Sequence, residues 1–113
     1  MKIFNYQEVD AKQTEEGAAK LKVRWLITKD VGAKHFAMRL FEMEPGGHSP
    51  LHRHPWEHEV FILEGQGRAR SERNETNFQK GDVIFIPSNE EHQLENTGET
   101  LVKFLCLIPY QDD

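Results

Sequence analysis

Three histidines crowd the seven residues His52-Arg53-His54-Pro55-Trp56-Glu57-His58, which follow Gly46-Gly47-His48-Ser49-Pro50-Leu51. Neutral imidazole is a good donor to zinc, copper, iron and nickel, and several clustered imidazoles are the usual means of holding one such ion. Side chains alternate along an extended backbone, so His52 and His54 share a face and both rings can reach one point. Pro55 bends the chain after them and lets His58 approach from the neighbouring strand. A lone histidine is most often a surface or satisfied core residue. What marks these three out is the His-x-His-x-x-x-His spacing after a Pro-Gly-Gly turn, although that spacing names no fourth ligand.

Short β-type runs separated by turn residues must position this cluster. Leu21–Thr28 alternates Lys22 and Arg24 with apolar positions, and His35–Met43 ends at the turn signal Glu44-Pro45-Gly46-Gly47. Val60–Leu63 runs into a tight connection at Gly65-Gln66-Gly67, and Arg68–Glu72 with Thr76–Gln79 reads as a polar hairpin around Asn74. Val83–Ile86 is apolar throughout. His92–Glu95 leads to the turn Asn96-Thr97-Gly98, and Leu101–Ile108 closes the series. About eight strands at this spacing predict an all-β barrel or sandwich rather than an α/β fold, which needs crossover helices. Residues 8–20 are polar, contain Gly17 and lack an apolar stripe, which predicts a loop or irregular arm.

The bulk properties narrow the class further. A chain of 113 residues suits one domain, here an arm over 1–20 and a barrel over 21–110. The net charge of −5, without basic blocks or a basic stripe, argues against a nucleic-acid partner. No apolar run reaches membrane-spanning length, and the N-terminus lacks signal-peptide features, so no membrane association is expected. Cys106 is the single cysteine and has no internal disulfide partner, which fits a reducing cytoplasm.

The chain resembles the cupin superfamily, whose fold is a small β-barrel (a double-stranded β-helix or jelly roll) with a metal inside. The first motif of that family is Gly, five residues, His-x-His, three or four residues, Glu, six residues, Gly. It is met by Gly46, His52-Arg53-His54, His58 and Gly65. The second is Gly, five residues, Pro-x-Gly, two residues, His, three residues, Asn. It is met by Gly81, Pro87-Ser88-Asn89, His92 and Asn96. Asn89 stands in place of the motif's glycine, and asparagine tolerates positive φ better than most residues. His58 stands in place of the glutamate. Glu59 is the alternative, but the six-residue gap to Gly65 favours His58. The resemblance thus implies a four-histidine set, His52, His54, His58 and His92, where the family usually has three histidines and one glutamate.

Four neutral ligands leave the full charge of a divalent ion on the site, favouring an anionic ligand and acidifying bound water. An octahedral ion would keep two positions open, which suits catalysis or small-molecule binding better than a structural role. Manganese, iron, copper, nickel and zinc are the candidate metals. Lys103 facing water turns Val102, Phe104, Cys106 and Ile108 inward and makes Phe104 and Cys106 candidate pocket walls. Trp56 is a candidate for the pocket mouth, and Arg39, in an apolar strand, for the cation that meets an anionic substrate. Among Glu57, Glu59, Glu90 and Glu91, one could orient an imidazole. His35 and His48 fall outside both motifs and are read as non-ligands.

The expected activity is that of a metal-dependent, dioxygenase-like oxidoreductase acting on a small organic substrate. A redox-neutral isomerase or lyase acting on a sugar or dicarbonyl shares the same site. A non-catalytic metal or small-ligand binding module is the reading from another class. The resemblance also implies a homodimer, for which exposed barrel edges give a physical reason.

Overall fold

The computed structural model describes residues 1–14 and 16–110. It contains nine strands: β1 Lys12–Gln13, β2 Ala19–Ile27, β3 Phe36–His48, β4 His58–Glu64, β5 Gln66–Ser71, β6 Glu75–Gln79, β7 Val83–Ile86, β8 His92–Glu95 and β9 Val102–Pro109. All pairings are antiparallel, and the strands form a curled sheet in the order β6-β5-β8-β3-β9-β4-β7, with β2 on the other edge of β3 and β1 on β2. Helical structure among the described residues is limited to single 3-10 turns at Tyr6–Glu8 and Lys29–Val31. No helix is long and apolar enough to cross a membrane.

Most predicted strands appear within a residue or two of their expected ends. The exception is β3. It does not stop at Glu44-Pro45-Gly46-Gly47 but continues to His48, where it pairs with Glu95 of β8 and Ala19 of β2. Gly46 makes this possible with a φ of +82°, a conformation costly for any residue with a Cβ. One strand therefore serves both halves of the curl, pairing with β9 over Phe36–Met43 and reaching β8 at its end. The two-residue β1 had no signature of its own in the polar stretch before Gly17. Its partner β2 supplies the pairing.

Period-two alternation turns one face of each strand inward. Along β9, Val102, Phe104, Cys106 and Ile108 are buried while Lys103, Leu105 and Leu107 are partly exposed. With Leu21, Met43, Val60, Ile62, Phe78 and Leu94, they fill the interior of the curl. Phe41 and Phe104 are direct cross-strand partners whose rings stack at 4.9 Å, an arrangement that adds stabilisation beyond burial alone. The N-terminal arm is tied to the outer surface rather than free. The Arg24 guanidinium donates to the Val9 carbonyl at 2.6 Å, and Lys103 Nζ donates to the Tyr6 hydroxyl at 3.1 Å.

Asn96, the last residue of the second motif, is buried at 3% exposure with all its polar atoms engaged. Its amide donates to the carbonyls of Met43 and Thr100, both at 2.8 Å, and its Oδ1 accepts from the Gly98 N–H. It thereby closes the β8–β9 turn onto β3 and fixes where β8 delivers His92.

Candidate metal centre

The four motif histidines reach the interior from a connecting segment and from the starts of two strands. His52 and His54 lie in the segment between β3 and β4, not in a regular strand, yet their rings sit 4.4 Å apart. His52 is held by an isolated bridge to His92, with His52 N donating to His92 O at 3.2 Å and the reverse bond at 2.9 Å. Asn89 N–H holds the His54 carbonyl at 2.7 Å. Asn89 itself adopts a φ of +67°, so the turn that the motif builds with glycine is built here with asparagine. His58 opens β4 with its side chain on the inward face, and His92 opens β8 likewise; each is 7% exposed.

The imidazoles converge. Donor nitrogens of His52, His54 and His92 all lie within 4.8 Å of one another. His58 adjoins them, with Nε2 at 3.4 Å from His54 Nδ1 and ring centroids 4.8 and 5.0 Å from those of His54 and His92. An ion bonded to imidazole nitrogens at about 2.0–2.1 Å sets its ligands no more than about 4.2 Å apart. Binding an ion would require the rings to move inward by roughly half an ångström. His92 Nδ1 lies 2.9 Å from the Glu90 carbonyl. A carbonyl only accepts, so Nδ1 carries the proton and Nε2 keeps its lone pair. Glu90 thus orients an imidazole, through its backbone rather than its carboxylate.

Electrostatics keep His54 and His58 neutral. Burial, then the Arg39 guanidinium and the neighbouring imidazoles, push His58 down to about 3. Burial, then His52, His92 and Arg39, push His54 down to about 4. Both rings are therefore free bases at neutral pH, the state in which imidazole binds a metal. Neutral imidazoles suit a divalent transition-metal ion and would leave its charge uncompensated.

Around the histidines is a cavity of about 200 Å³ whose walls include Arg39, Trp56, Phe104 and Cys106, all four singled out from the sequence. Trp56 stacks on the His54 ring at 4.1 Å and 4°, and its buried indole N–H has no hydrogen-bond partner. The Arg39 guanidinium lies over Phe41 at 4.8 Å and over Trp25 at 5.3 Å. No carboxylate pairs with it among the described residues. Trp25 and Phe41 line the cavity as well and were missed. Alternation could have found Phe41, two residues beyond Arg39 on the same face, whereas Trp25 arrives by pairing with Arg39 across β2 and β3. Glu59 faces the other side of β4, exposed, and borders an outer groove instead. Glu57 is exposed too, and His35 and His48 lie apart from the converging nitrogens.

Comparison with known proteins agrees with this construction. The family model for the cupin domain matches residues 39–108. An oxalate-binding protein from Thermotoga maritima is 35% identical over 96 residues, covering 81% of this chain and 78% of that protein. A 1-methylthio-D-xylulose 5-phosphate methylsulfurylase from Rhodospirillum rubrum is 37% identical over 76 residues, covering 67% of this chain; the match spans only 49% of that enzyme's length. Among solved structures, the polyketide cyclase RemF from Streptomyces resistomycificus superposes with a TM-score of 0.90 at 33% identity, covering 96% of this chain and 79% of that one. Sequence motifs, curled sheet and relatives agree, and the chain belongs to the cupin family.

Proposed function

We propose that this chain is a metal-dependent cupin enzyme acting on a small organic substrate, with His52, His54, His58 and His92 holding one divalent transition-metal ion. The observation that carries the reading is the convergence of four imidazoles on one small, otherwise apolar cavity beside a guanidinium that has no carboxylate partner among the described residues. Bound there, the ion would act as a Lewis acid on substrate oxygens or as a site for dioxygen, with manganese, iron, copper, nickel and zinc all compatible with the donors. The remaining work falls to the chain. Trp56 fixes the plane of His54, and the Glu90 carbonyl fixes the tautomer of His92. Arg39 supplies positive charge where an anionic substrate group would lie. Phe41 and Phe104 exclude water, which strengthens each of these interactions.

Two open positions on an octahedral ion suit a dioxygenase-like reaction. The likeness to a polyketide cyclase favours a redox-neutral reading, such as an isomerase or lyase, and the likeness to an oxalate-binding protein favours a binding module. Metal analysis of protein purified without chelator or added metal, repeated on His58→Ala, tests the four-histidine set. Unchanged stoichiometry and coordination spectrum in the variant would remove His58 from it. Turnover that stops under strict anaerobiosis separates the oxidative reading from the redox-neutral one.

A pairing of two copies is supported by the outer face. Val83, Phe85, Phe61 and Phe36 expose 74, 59, 44 and 57% of their surface there. An apolar groove of about 490 Å³ runs between Phe61, Phe85, Leu105 and Leu107. Apolar patches of this kind on a soluble chain mark association surfaces. A cytoplasmic setting fits the single buried thiol, Cys106.

A further inference from the structure

We infer that Cys106 is a positioning residue for the metal centre: its sulfur accepts a hydrogen bond from His58 Nδ1–H and leaves the Nε2 lone pair facing the other imidazoles. The inference rests on the metal-centre reading and adds to it what makes His58 a ligand. A neutral imidazole carries one proton, and the partner of one nitrogen selects the role of the other. His58 Nε2 is on the cluster side, 3.4 Å from His54 Nδ1. Nδ1 faces away, 3.2 Å from Cys106 Sγ and 3.4 Å from Arg39 Nη2.

Arg39 and Cys106 are the two groups that meet Nδ1. A guanidinium only donates and cannot take the His58 proton. Its Nη2 donates to Cys106 Sγ at 3.0 Å, closer than it comes to Nδ1. Of these two groups only the sulfur can accept the Nδ1 proton; a thiol can also donate its S–H to a bare Nδ1, so the tautomer of His58 is the observable that tests the inference. The opposite tautomer would leave the proton on Nε2, pointing into the cluster and blocking the donor atom.

The arrangement is set by sheet register. Cys106 lies opposite Arg39 on one side and Val60 on the other. His58 stands two residues before Val60 on the same inward face, diagonal to the sulfur. At 3% exposure, Cys106 is shielded from solvent competition for these bonds. Phe41 and Trp25 hold the guanidinium in place from two sides. His92 offers a comparison within the same site, since the Glu90 carbonyl that orients it survives any side-chain substitution, whereas the orientation of His58 depends on one side chain.

The test is Co(II) binding to metal-free wild type, Cys106→Ser, Cys106→Ala, His58→Ala and the Cys106→Ala/His58→Ala double variant, by competition titration and visible absorption. Cys106→Ala is expected to lose about 10–100-fold in Co(II) affinity. Cys106→Ser, which keeps an acceptor, recovers most of that loss, and Cys106→Ala changes nothing further once His58 is alanine. Unchanged affinity in Cys106→Ala, or fully additive losses in the double variant, overturns the inference. So does a sulfur-to-cobalt charge-transfer band present in wild type and absent from Cys106→Ala, because the sulfur is then itself a ligand. If circular dichroism shows Cys106→Ala unfolded, Cys106→Val fills the space without an acceptor and carries the same expectation. Long-range proton–nitrogen NMR on the metal-free protein reads the tautomer directly: His58 protonated on Nδ1 supports the inference, and protonated on Nε2 defeats it. Wild-type protein that binds no Co(II) while showing the expected tautomer overturns the metal-centre reading instead.

Discussion

His52 and His92 donate backbone hydrogen bonds to one another, at 3.2 and 2.9 Å, while their rings meet at 4.8 Å. The two motifs are therefore joined by the main chain before any ion is involved. Substituting either side chain leaves that joint intact. His92→Ala is expected to fold with a metal-free melting temperature near that of wild type and to lose more than about a hundredfold in metal affinity, beyond what outer-shell changes cost. Thermal melts and chelator competition on the same preparation check both halves. A variant that still binds metal at wild-type strength removes His92 from the site.

The depressed basicity of His54 and His58 has a consequence for the metal-free protein. Unfolded, each ring protonates near its ordinary value of 6.5; folded, they do so only at about 4 and about 3. Between these values the unfolded chain holds more protons than the folded one, so stability falls as pH drops below about 6.5 and is unaffected by these groups above it. Denaturant titrations of metal-free protein from neutral to mildly acidic pH should show this slope, and His58→Ala should flatten part of it. An equal slope in the variant would dissociate it from His58. The same shifts lower the pH at which protons compete with a metal for these two rings, below the value of about 6.5 expected for unperturbed histidines.

Much of this site was legible because spacing in a β protein is geometry. His52, His54, His58 and His92 are separated by turns whose lengths fix where each side chain arrives, and alternation along β9 placed Phe104 and Cys106 inward. What escaped needed register between strands that are distant in sequence. Trp25 reaches the cavity because β2 flanks β3 and sets it opposite Arg39, an adjacency that no local pattern encodes. The Glu90 carbonyl was invisible for another reason: side-chain type says nothing about where a backbone oxygen points. The extension of β3 through Pro45 and Gly46 was missed because those residues signal a turn, and only pairing with β8 and β2 overrides the signal.

Asn89 gives a test of the turn itself. Its φ of +67° and its hydrogen bond to the His54 carbonyl make the backbone here both strained and purposeful. Asn89→Val is expected to destabilise by about 1–2 kcal/mol, the left-handed penalty for a residue with a branched Cβ. Asn89→Gly, which restores the family pattern, should be neutral or slightly stabilising. Urea denaturation measures both, and a Val variant as stable as wild type would show that the turn relaxes to negative φ without cost.

The outer face makes the remaining prediction, and it concerns assembly rather than chemistry. Phe61 and Phe85 lie on adjacent strands: Phe61 pairs with Val83, and Phe85 with Glu59. Their side chains therefore form one patch beside Leu105 and Leu107. Placing charges there, as in Phe61→Glu with Phe85→Lys, should leave the interior untouched, because both side chains point away from it. If two copies pair through this face, light scattering coupled to size exclusion should show wild type at twice the chain mass and the double variant at the chain mass. Metal affinity should be unchanged in the double variant, since His58 of β4 and Cys106 of β9 lie on the opposite side of the strands that carry the patch. A wild-type protein that is monomeric at about 100 μM, well above the dissociation constants usual for specific interfaces, would instead leave this patch without a partner copy.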